Sequence, residues 1–204
     1  MMKEYLLELP DFICLALVYF SVLLPRWRGS RKGLLFRTVF YVYLCLVLHF
    51  TLMPFLFSIP GQMAARRVCL MPFRDLQMGY GGARKQILLN AVMMVPFGVF
   101  LPLIYRKKFL STVGLTMAFS LTIEILQFFS GDYRISDVTD VITNTAGGAA
   151  GYLLFLPFRK ASFSGGNPPS AEKSAPHAVP KREKAVWAIF LCQILVKSFL
   201  AAYF

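Results

Sequence analysis

The stretch FLSTVGLTMAFSLTIEILQFFSGDYRISDVTDVITNTAGGAAGYLLFLPF, residues 109–158, decides the fold. It holds two apolar runs, 109–129 and 138–158, joined by a short polar turn around Gly131. Each run has the roughly 20 mostly apolar residues that a helix needs to cross the hydrocarbon core of a bilayer. The second opens on Asp137 and Asp140 and carries Asn144 deeper in, which is costly in lipid unless those groups have partners or a purpose.

Working outward, the rest of the chain repeats the pattern. Of 204 residues 57% are hydrophobic and only 16% charged, where a soluble domain has about 25% charged residues. Four further runs, 5–24, 34–57, 87–105 and 185–204, are separated by charged or turn-rich punctuation. The fold class is therefore all-α, a polytopic helical membrane protein with about six transmembrane helices. The first run is the least regular, because Glu8, Pro10 and Asp11 sit in its opening turns. Three acids and one lysine before its apolar part, with no small-residue cleavage site after it, argue against a cleaved signal peptide.

The net charge of +12 follows topology. Basic residues concentrate in 26–32, in Arg106, Lys107 and Lys108, and in 159–184, three segments that six spans place on one side. By the positive-inside rule that side is expected to be cytoplasmic and both termini outside. The acids Glu4, Glu8, Asp11, Asp75, Asp132, Asp137 and Asp140 fall on or near the other side. A nucleic-acid partner is excluded: no motif supports one, and the basic charge suits the anionic inner leaflet.

Residues 159–184, rich in Ser, Gly, Pro and Lys, read as a flexible basic linker. Cys14, Cys45 and Cys192 fall inside spans and Cys69 in a loop, which gives no disulfide framework. No metal-type cysteine or histidine spacing and no cofactor motif appears, and His49 reads as a buried polar side chain of the second span.

The remaining polar residues gather at the outer end. Ser120, Glu124 and Gln127 are spaced to share one helix face. Glu124 lies roughly 8–9 Å inside the span at 1.5 Å per residue. Left without a partner there it would cost up to about 2.5–3.5 kcal/mol. Past the turn, Ser136 is expected to cap the next helix, and Asp137, Asp140 and Asn144 recur on one face. Carboxylates in a first turn also suit the helix dipole. Thr143, Gly147 and Gly151 form a small-residue stripe expected to pack closely against a neighbour. Asn90 enters one turn into the third span, ahead of Pro96, Gly98 and Pro102, and Leu70-Met71-Pro72-Phe73-Arg74 is an apolar, proline-containing patch expected to fold onto the membrane surface.

These residues, in this order, resemble the VanZ-like membrane proteins. The family is named for a protein associated with low-level resistance to teicoplanin, a cell-wall-directed glycopeptide. The resemblance rests on Leu70 to Arg74, Leu89-Asn90 through Val95-Pro96-Phe97-Gly98, Glu124-Ile125-Leu126-Gln127, and Arg134 through Asp137-Val138-Thr139-Asp140 to Asn144-Thr145-Ala146-Gly147-Gly148. It covers roughly Phe12 to Phe158, so the chain is expected to divide into a VanZ-like five-helix membrane domain (1–158) and, outside the resemblance, a cytoplasmic linker (159–184) and a C-terminal transmembrane helix (185–204). Many members carry another acid where this chain has Thr139. The resemblance implies a function in the bacterial cell envelope. Some members have been labelled acyltransferase-like, which nothing in these residues supports.

Three readings of the cluster stay open. In the first, Asn90, Glu124, Gln127, Arg134, Asp137, Asp140 and Asn144 form an outward-facing pocket. That pocket binds or shields a glycopeptide antibiotic, a lipid-linked cell-wall precursor or a lipid head group. In the second, Arg134 pairs with Asp137 or Glu124 to pin the hairpin of spans four and five. In the third, Glu124, Asp137 and Asp140 serve an intramembrane enzyme as acid, base or ligands of a divalent metal such as magnesium. The order of preference is as given, and the sequence assigns no oligomeric state.

Overall fold

A computed structural model describes residues 2–27, 31–56, 68–130 and 135–159, together with 185, 188, 189 and 191–194. The expected linker beyond Arg159, most of the sixth run, Asp132 and Arg134 lie outside the described residues. Helix α1 (Met2–Val18) continues through a π-helical turn (Tyr19–Leu23) into α2 (Leu24–Trp27), and α3 is Arg31–Leu52. A two-residue strand β1 (Val68–Cys69) and short α4 (Arg74–Gln77) lead to α5 (Ala83–Tyr105) and α6 (Phe109–Phe128). Strand β2 (Ser136–Asp137) opens α7 (Val138–Phe155), which ends in a 3-10 turn, Leu156–Phe158.

Five of these helical stretches are long and apolar enough to cross a membrane: Glu8–Trp27, Arg31–Leu52, Ala83–Tyr105, Phe109–Phe128 and Val138–Phe158. They coincide with the first five apolar runs. The third starts earlier than its run, because the backbone turns into helix at Gly82, φ 96°, and Arg84, Lys85 and Gln86 are helical although polar. Hydropathy marks where lipid begins, whereas backbone geometry marks where helix begins.

On α3, Leu35, Val39, Val42, Leu46 and Phe50 are exposed along one face. That is the surface expected against lipid, where burial between helices gains no hydrophobic energy and association rests on close packing and buried hydrogen bonds. Close packing is most evident between α5 and α7, which share the most extensive contact in the fold. A Cβ added at Gly98 would overlap the Gly148 carbonyl, one at Gly147 the Ala91 carbonyl, and one at Gly151 the Val95 carbonyl. The small-residue stripe read from the sequence thus lets two helix backbones touch.

Aromatic packing holds α3, α5 and α6 together. Phe97 stacks on Phe119 with ring centroids 5.0 Å apart and meets Phe40 at 5.7 Å, within a core that includes Val47, Met94 and Ile123. Pro96 removes a backbone donor from α5, and the Tyr43 hydroxyl donates to the nearby Met93 carbonyl at 2.7 Å. Across α1 and α3, the Tyr41 hydroxyl donates to the Leu15 carbonyl at 2.8 Å, just before the π-helical turn.

The acids of the first span have definite partners. Asp11 is fully buried and accepts from the Phe55 amide at 3.0 Å and from Gln193 Nε2 at 2.8 Å. The described residues 191–194 of the final run are helical, and Gln193 ties them to α1. Glu8 lies 3.8 Å from His49 Nδ1, and that imidazole is half-buried on α3.

Candidate functional site

The site grows from the α6–α7 hairpin. Along α6, Thr112, Thr116, Ser120 and Glu124 repeat every fourth residue, and all are buried. They face α7: the Asn144 amide donates to Ser120 Oγ at 2.8 Å, and Glu124 Oε2 accepts from the Asp137 backbone amide at 2.8 Å. The Ser136 hydroxyl donates to the Glu124 carbonyl at 2.9 Å. Glu124, 4% exposed, thereby clamps the chain where it re-enters as α7. A buried carboxylate is tolerated when such donors satisfy it.

The helix cap differs from expectation. Asp137, in extended conformation at φ −121° and ψ 123°, caps α7 by accepting from the Thr139 amide at 2.7 Å. Ser136, expected in that role, instead turns back to α6. Thr139 takes part as well, because its hydroxyl accepts the Phe73 amide at 2.9 Å. Thr139 is therefore a short neutral acceptor that docks the 68–78 segment.

That docking completes the site. Val68 pairs with Ser136 and Cys69 with Asp137 in a parallel ladder, and the chain then reverses at Phe73, φ 56°. Cys69, expected in a loop, is consequently paired in this ladder and buried at 8% exposure. Residues 68–78 fold over the mouth of α7 and border a cavity of about 310 Å³. Arg74, Asp75, Gln86 and Asp137 line it, with Val68 and Ile135 among its apolar walls. A separate narrow recess of about 20 Å³ shares Asp75, Gln86 and Asp137 with it and is lined also by Thr139 and Asp140.

The seven residues expected to form one pocket divide into groups. Asp137 and Asp140 line the cleft, and Asn90 sits beside Asp140 as a hydrogen-bond neighbour. Glu124 and Asn144 lie beneath it, inside the α6–α7 interface. Gln127 turns away, its Nε2 donating to the Thr51 carbonyl at the end of α3 at 3.0 Å. Arg134 lies outside the described residues. Sequence reasoning missed Asp75 and Gln86 as lining residues. Gln86 carried a usable signal, since it precedes Asn90 by one helical turn and so shares its face. Asp75 carried none, because only the fold-back of the 68–78 segment brings it there.

Among the described residues, no three acidic, histidine or cysteine side chains converge in a way that could hold a metal ion. The arrangement can instead hydrogen-bond and pair charges: carboxylates, an amide and a guanidinium at the rim of a cavity beside spanning helices.

Apolar spans packed through glycines, with a polar cleft at one end, define a multi-pass helical membrane protein. A family model described as VanZ/LLP1 matches residues 40–159, and the chain belongs to that family. It is 36% identical over 75 residues to Protein VanZ of Enterococcus faecium, an alignment covering 36% of this chain and 46% of that protein. The chain thus spans about half the length of this curated relative. No solved structure matches.

Proposed function

We propose that the protein acts in glycopeptide resistance as a membrane-embedded binding protein of the cell envelope. Its cleft, on the outer face, binds or shields a glycopeptide, a cell-wall precursor or a lipid head group. The cavity of about 310 Å³ lined by Arg74, Asp75, Gln86 and Asp137 carries this reading, because ligand sites are concave and combine apolar walls with a few convergent polar groups. Both named acids belong to segments whose backbone is held by hydrogen bonds and strand pairing, so the polar groups stand preorganised for a ligand. Membership of the VanZ/LLP1 family supports the envelope setting, and the distribution of basic residues supports the orientation.

The test is direct binding by the purified full chain in detergent, titrated with teicoplanin and with a lipid-linked precursor. Asp137→Asn and Asp140→Asn are expected to weaken binding about tenfold, the size of losing one charge-assisted contact. Resistance conferred on a susceptible host is expected to fall with them at unchanged protein level. Full binding and full resistance in both variants would refute the cleft as the site. Activity that appears only with added magnesium would point to catalysis instead.

A further inference from the structure

Resting on the cleft reading, we infer the chemical class of its ligand: a bilayer lipid whose head group carries both a phosphate and a free amine, entering sideways from the membrane. The first observation is the charge arrangement of the wall. Arg74 and Asp75 are adjacent, both exposed, and both line the same cavity with Asp137. Among the described residues Arg74 forms no ion pair with its neighbouring carboxylates. Opposite charges that share a cavity without closing on each other complement a ligand bearing both signs. A guanidinium recognises phosphate by paired N–H donors, and the exposed carboxylate of Asp75 accepts from an ammonium, whereas Asp137 Oδ1 already accepts the Thr139 amide. A purely anionic head group would meet the carboxylates, and a purely cationic one would meet Arg74.

The second observation is the apolar character of the segment that supplies Arg74 and Asp75. Before α5 it exposes Leu70 at 77%, Met71 at 49%, Leu76 at 39% and Met78 at 58%, and Ile135 in the cavity wall is 59% exposed. The segment directly precedes a spanning helix, so these side chains lie at the level of the bilayer surface. Clustered apolar side chains there are expected to enter the acyl boundary. Tyr80, also exposed, suits the aromatic belt of that zone. A charged cavity beside apolar side chains at this level is within reach of lipid head groups, which carry their phosphate and amine at the bilayer surface.

Titration calorimetry of the full chain in dodecyl maltoside tests this, with three short-chain probes: dihexanoyl phosphatidylethanolamine, its N-acetyl derivative and dihexanoyl phosphatidylglycerol. The free amine is expected to bind about tenfold more tightly than either other probe, as one charge-assisted contact requires. Asp75→Asn is expected to erase that preference, and Arg74→Gln to weaken all three probes. Both residues are exposed, so neither change should alter the melting temperature. Equal affinity for the three probes, or a preference that survives Asp75→Asn, overturns the inference. If the probes fail to discriminate while teicoplanin or a precursor binds with dependence on Asp137, the cleft reading survives and only the head-group assignment falls. If no ligand responds to Asp137→Asn, both fall together.

Discussion

Replacement of Glu124 separates holding the fold from holding a ligand. Its Oε2 accepts the Asp137 amide at 2.8 Å in a site that is 4% exposed. A hydrogen bond to a charged group contributes about 1.5–3 kcal/mol. Glu124→Leu removes the acceptor and strands the Asp137 N–H in the helix interface, so a loss of about 1.5–3 kcal/mol is expected. At roughly 2–4 °C per kcal/mol for a chain of this size, the melting temperature in detergent should fall by about 3–12 °C. Glu124→Gln keeps an oxygen in place and loses only the charge, so its loss should stay near 1 kcal/mol, the worth of a neutral hydrogen bond. The Ser136 hydroxyl bonds the Glu124 backbone carbonyl and survives both changes. Because Glu124 does not line the cavity, folded Glu124→Gln protein should bind ligand within about twofold of wild type. Size-exclusion melting curves and a titration on the same preparations make both measurements. A Glu124→Leu variant that melts like wild type refutes the clamp. A Glu124→Gln variant that melts normally but no longer binds makes the carboxylate part of the site.

Other expectations follow from packing and burial. Gly98→Ala sets a Cβ against the Gly148 backbone and should lower stability by about 1–3 kcal/mol, whereas Gly114→Ala, with open space around it, should be neutral or gain up to about 1 kcal/mol; detergent melts compare them. Gln193→Leu takes a donor from the buried Asp11 carboxylate and should cost about 1.5–3 kcal/mol, read in the same melts. A cysteine placed at Leu70, 77% exposed, in a background without native cysteines should react in intact cells with a membrane-impermeant maleimide if the cleft faces outward. Labelling only after permeabilisation would invert the topology, and native Cys69 is too buried to report on it.

Read alone, the sequence was sufficient for the solvent, the fold class and the positions of five spans, because lipid imposes a length and a hydropathy on each helix independently of its neighbours. Glycine spacing in α7 likewise announced a close helix contact, since a stripe of missing side chains is visible without knowing what fills it. The polar cluster was legible as residues but not as an arrangement. Ser120, Glu124 and Asn144 share faces by helical period, yet whether such a face turns to a cavity or to another helix depends on the rotation of α6 against α7. The structure turns it inward, into hydrogen bonds. The cleft itself depends on Phe73 reaching Thr139 and on Cys69 pairing with Asp137, contacts 66 and 68 residues apart. No local pattern encodes such pairings, because the free energy of folding a connecting segment over a helix terminus lies in the partner backbone groups it finds there.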